Sequence, residues 1–284
     1  MEYPYPLGIL IRMYLCMSVR KHYSHEAVLG LKVGRLNKGL NTQFIVYTIG
    51  DTVIDSGPSN QWRYISSFLK QQDVRQLLLT HHHEDHAGNA YNIGQQFAIT
   101  PKAPALSHDK LAAGYATPFL QKIVWGNLKP VHTQALQERE YLSDGSEIIP
   151  VHTPGHAKDL TCFHLPEQGY FFSGDLFIAN KLKLMRSDED LAQLIDSIQK
   201  VLKLDFEILF CPHGGIVKEG KKALQKKLDY ILAMCAKVKE LSEKGLDEQA
   251  VCDQILGPKD FLGKLTGGNM SKLNLIQQCG KVII

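Results

Sequence analysis

The chain has 284 residues, 44% of them hydrophobic and 21% charged, with a formal net charge of +3. That is apolar material enough for a full core and excludes a disordered or membrane-filled chain, while the mild charge neither demands nor forbids an acidic partner. Six scattered cysteines without a Cys-x-x-Cys pair exclude a disulfide framework and a structural zinc site of the paired-cysteine kind.

Residues 1–25 read as a leader of undefined structure. Their apolar segment, 7–17, is broken by Arg12, is too short to span a membrane and is preceded by Glu2 and not by a basic segment. These features predict a cytoplasmic protein without a membrane partner. A domain over 26–218 follows, opening with strands at 28–33, 43–49 and 52–54 and a helix over 60–71 that places Trp62, Ile65 and Leu69 on one face.

The apolar run 75–79 reads as a short buried strand, and the chain then continues Thr80-His81-His82-His83-Glu84-Asp85-His86. Imidazole nitrogen and carboxylate oxygen are ordinary ligands of divalent zinc, so these donors after a strand describe a metal site on a loop. Positions two apart in extended chain share a side. His81 and His83 can therefore grip one ion, Asp85 and His86 can grip a second, and His82 faces away.

Further strands are predicted near 147–151, 160–165, 170–172 and 207–210, with a helix between the last two that starts at Ser187. Three later loops repeat the metal-ligand chemistry: Thr153-Pro154-Gly155-His156, Ser173-Gly174-Asp175 and Cys211-Pro212-His213-Gly214-Gly215. Cys211 itself reads as a buried strand-end thiol. Beyond 219 the pattern turns helical, giving a C-terminal extension over 219–284. Its eight lysines against four acids between Lys218 and Lys244 read as a solvated helix face or a track for an RNA backbone.

Taken in order, these motifs, with Asp55-Ser56-Gly57 before them, resemble the metallo-beta-lactamase superfamily across residues 28–218. The resemblance implies an αββα sandwich of class α/β with the C-terminal helices appended, and two divalent metal ions at one edge. Zinc is the expected metal, with iron or manganese as alternatives. It implies that His81, His83 and His156 hold the first ion, Asp85, His86 and His213 the second, and that Asp175 bridges them. Asp55 would accept an imidazole N–H beside the metals.

Such a centre keeps net positive charge and attracts anions and polarised carbonyls. The function expected is a metal-dependent hydrolase in which hydroxide on the metals attacks a small, anionic ester, thioester or lactone, with Asp85 carrying the proton. Zinc beta-lactamases usually carry Cys where Asp175 stands, which turns the expectation away from antibiotic hydrolysis. Glyoxalase II continues its Thr-Pro-Gly-His segment to a second Gly-His, where this chain has Asp159-Leu160. A metal-dependent endoribonuclease is the alternative, and a di-iron redox protein a further one. No substrate-binding residue or oligomeric state follows from the sequence.

Overall fold

A computed structural model describes residues 19–36 and 42–283; the apolar segment 7–17 lies outside them. The first sheet runs in chain order: β1 (Val19–His25), β2 (Val28–Gly34), β3 (Phe44–Ile49), β4 (Thr52–Ile54), β5 (Gln76–Leu78), β6 (Lys102–Ala103) and β7 (Gln134–Ala135). It is antiparallel through β4 and parallel from β4 to β7. The second sheet uses β8 (Glu140–Tyr141), β9 (Glu147–His152), β10 (Thr161–Leu165), β11 (Tyr170–Phe172), β13 (Ile208–Cys211) and β14 (Gly215–Val217), in the order 14-13-11-10-9-8.

Period-two alternation assigns each strand's side chains to two different cores. In β3, Ile45, Tyr47 and Ile49 point between the sheets, where they meet Phe163, Phe172 and Phe210. Phe44 and Val46 point the other way, onto the helix Trp62–Leu69 through Ile65 and Leu69. The second sheet does the same: Phe171, Leu209 and Cys211 face outward and are covered by the helices Leu191–Leu202 and Gly220–Glu243. Two sheets back to back with helices outside is the expected α/β sandwich.

Residues 19–25 form the β1 edge strand, paired along its length with β2. The helices beyond 219 share one core with the second sheet: Leu224, Leu228 and Ile231 lie in the same buried cluster as Leu194 and Leu209. They also carry β15 (Met270–Ser271), which pairs with β12 (Met185–Arg186), so the segment is not strand-free. The helix expected from Ser187 begins at Leu191, capped by the Asp190 carboxylate, which accepts from Gln193 N at 2.9 Å. Ser187 is occupied elsewhere; its N–H and hydroxyl both donate to Asn269, at 2.8 Å each.

Candidate metal centre

Strand ends at one edge of the sandwich deliver the donors. β5 runs into the 81–86 loop, β9 leads to His156, β11 to Asp175 and β13 to His213. Close backbone contacts fix these loops. A Cβ on Gly88 would lie 2.3 Å from the Glu84 carbonyl, and one on Gly155 would lie 2.5 Å from Leu194 Cα, so both turns need glycine. Around His213, Ile45 N donates to the Pro212 carbonyl at 2.6 Å, Tyr47 to the Cys211 carbonyl at 3.0 Å and Lys32 to the His213 carbonyl at 3.2 Å.

All seven side chains that the sequence singled out as ligands converge. His81 Nε2 and His156 Nε2 lie 3.0 and 3.1 Å from His83 Nδ1. His86 Nε2 and His213 Nε2 each lie 3.2 Å from Asp175 Oδ1, His156 Nε2 lies 3.3 Å from Asp175 Oδ2, and His213 Nε2 lies 3.6 Å from Asp85 Oδ2. Three donor groups result: His81 with His83 and His156, Asp85 with His86 and His213, and His81 with His86 and Asp175.

The far nitrogens explain why these atoms face one another. His86 Nδ1 donates to Asp55 Oδ2 at 2.7 Å, His156 Nδ1 to Glu189 Oε1 at 2.6 Å and His213 Nδ1 to the Gln43 carbonyl at 2.8 Å. His81 Nδ1 sits 3.0 Å from Thr80 Oγ1, whose proton goes to Asp55 at 2.9 Å. With Nδ1 carrying the proton, each of the four rings presents a lone pair on Nε2 to the centre.

Lone pairs at 3.0–3.3 Å from each other or from a carboxylate oxygen repel unless positive charge lies between them. His86 Nε2 and Asp175 Oδ1 are buried without a hydrogen-bond partner. Burial pushes the His81 and His83 imidazoles well below the usual histidine range, which disfavours protons on these two rings, whereas for His156 burial is outweighed by the Asp175 and Glu189 carboxylates, which hold it above the range. Burial also opposes charge on His86, but the carboxylates of Asp55, Asp175 and Asp85 outweigh it and hold that ring well above the range. A converging N/O donor set with orphaned atoms fits divalent metal ions.

The family model of the metallo-beta-lactamase superfamily matches residues 41–213, more than half of the chain. The chain belongs to that superfamily. Among its relatives, an "Atrochrysone carboxyl ACP thioesterase" of Aspergillus fumigatus is 27% identical over 71% of this chain and 59% of its own length. A "Beta-lactamase-like protein 2 homolog" of Drosophila melanogaster is 27% identical over 64% of this chain and 61% of its own. The chain thus spans about three-fifths of the length of these relatives. A beta-lactamase domain protein from Burkholderia ambifaria shares the fold at a TM-score of 0.70 and 16% identity, covering 93% of this chain and 89% of that one.

Within the superfamily frame, several residues have roles that sequence reading missed. Glu189 orients His156 and also accepts from Arg186 N at 3.0 Å. Lys227, grouped above with the surface lysines, is buried; its Nζ donates to the Leu176 carbonyl at 2.6 Å, and burial pushes its pKa down to about 8. Its signal was position, since it stands three residues after Leu224 and four before Ile231, on the apolar stripe. Asp159, noted only as a departure, clamps His82: it accepts from the His82 backbone N–H and lies 2.9 Å from His82 Nδ1. His82 therefore turns away from the donor cluster.

Cys211 is a shaping residue: its thiol, pushed up to about 11 by burial, accepts from Gly214 N at 3.0 Å. In front of the donors lies a cavity of about 1040 Å³, bounded by His83, Asp85, His156, Asp175 and His213 at its floor. Among the described residues, no helix is long and apolar enough to cross a membrane.

Proposed function

We propose that this protein is a binuclear metal-dependent hydrolase that cleaves acyl thioesters, with esters and lactones as chemically related substrates. The observation that carries the reading is the pairing of donor clusters about Asp175 at the floor of one cavity. In this reading His81, His83 and His156 would hold one divalent ion, Asp85, His86 and His213 would hold the other, and Asp175 would be shared between them. When bound, the ions would lower the pKa of water towards about 7 and polarise the substrate carbonyl.

The protein's own groups do the rest. Asp55 anchors two rings, His86 directly and His81 through Thr80, and Glu189 anchors a third. Phe44 packs edge-on against both His86 and His213, with ring centroids 4.8 and 5.6 Å apart, which keeps that side dry. In this reading the Asp85 carboxylate, which borders the cavity, would carry the proton of the attacking water. A thiolate leaving group needs little protonation, which suits a site where no dedicated acid was read from the sequence. The Aspergillus fumigatus relative is named an ACP thioesterase, which supports the same class.

The RNA alternative draws on the metal-ligand set and helical tail shared with beta-lactamase-like endoribonucleases and on the lysines of 218–244, of which Lys227 is buried and Lys222, Lys237 and Lys244 are paired with Glu219 or Glu240. The test sets a simple acyl thioester beside labelled single-stranded RNA, each with metal-loaded protein and with Asp85→Asn. Thioester turnover that the variant loses is expected. RNA cleavage lost in the variant, with the thioester intact, would overturn the proposal.

A further inference from the structure

The cavity over the donor cluster is far more apolar than a metal centre requires. Its lining includes the helix Phe119–Trp125 and the helix Phe261–Leu265, elements far apart in the chain. Phe119, Leu262 and Leu265 line it while remaining 75%, 40% and 48% exposed. Large apolar side chains left in water on two separate supports are unfavourable unless something apolar comes between them.

Neither support is loosely attached. Trp125 is buried, and Asn60 Nδ2 donates to the Val124 carbonyl at 2.8 Å, so the first helix is pinned at its far end and presents Phe119 outward. Asp260 caps the second helix at Gly263 N, 2.8 Å, and also accepts from Lys272 N at 2.9 Å. At about 1040 Å³ the space lies at the upper limit of pockets for small ligands, roughly 300–1,000 Å³, and exceeds what a short acyl group fills. At the cavity margin Lys181 and Lys183 are exposed and alternate with the half-buried Leu182 and Leu184, a cationic rim around an apolar interior.

We infer that the trough between these two helices binds the hydrocarbon chain of a medium- or long-chain acyl group, whose carbonyl carbon lies at the metal centre. This rests on the thioesterase reading and makes it specific: the substrate class is the aliphatic acyl thioester, selected by chain length.

Binding, not turnover, tests it. Saturated fatty acids from hexanoate to dodecanoate share one carboxylate head, so titrating them calorimetrically into the metal-loaded protein varies only the chain. Affinity is expected to rise about fourfold per added methylene until the trough is filled. In Leu262→Ser and, on the other helix, Phe119→Ser, that step is expected to fall below about twofold. Both positions are on the surface, so each variant tests the trough without opening the core.

Affinity that ignores chain length, or a steep step that both variants keep, would overturn the inference. So would a change of sedimentation in the variants without a change in that step, which would assign the apolar faces to a second copy of the chain. A steep step in a protein that hydrolyses no thioester would uphold the trough and reject the thioesterase reading instead.

Discussion

Asp55 has backbone φ of 57°, a conformation that residues with a Cβ seldom adopt, directly after β4. The strain is explained by what the carboxylate reaches: it accepts from Thr80 N at 2.7 Å and holds His86 at 2.7 Å, while Thr80 relays the same anchor to His81. One carboxylate thus fixes the tautomer of a ring in each half of the centre. Asp55→Ala is expected to weaken divalent metal binding by about 10–100-fold while leaving the donor count intact, as measured by competition against a coloured chelator. Unchanged affinity would mean that the two rings are oriented by packing alone. At this scale much of the site could be read from the sequence, because four donors crowded behind one apolar strand have few other uses. Glu189, Lys227 and the Gln43 carbonyl could not be placed in the same way. A lone acid, one lysine among eight and a backbone oxygen carry no local pattern, and they acquire roles only through contacts 33 to 170 residues away.

Among the elements, the strands were the most readable, since each buried one alternates between two cores and its period is written in the side chains. Short pairings were not. β12 and β15 hold two residues each and are made by tertiary contact between segments 85 residues apart, a length at which periodicity has no meaning. The C-terminal helices were recognised as helices, whereas an amphipathic stripe does not by itself say what it packs against. The stripe of Gly220–Glu243 covers the outer face of the second sheet, and Ile231 within it is fully buried. Ile231→Ala is expected to cost about 2–5 kcal/mol and to lower a single unfolding transition, followed by circular dichroism in urea. A separate early transition in the variant, with the main one unmoved, would show instead that the helices unfold apart from the sandwich.

For the whole molecule, the arrangement concentrates loops from both sheets at one edge and roofs them with apolar helices. Packing supports the donors: Phe44 and Trp125 lie against His213, and the helix Leu191–Leu202 presses on Gly155 beside His156. In the proposed function, two ions, one in each half, would make this edge a thioester hydrolase. The most direct measurement is the rate of acyl thioester hydrolysis by chelator-treated protein as divalent metal is returned in measured equivalents. No turnover is expected without metal, and the rate is expected to climb to its plateau at two equivalents per chain. A plateau already reached at one equivalent, or no turnover with two ions demonstrably bound, would contradict the proposed function.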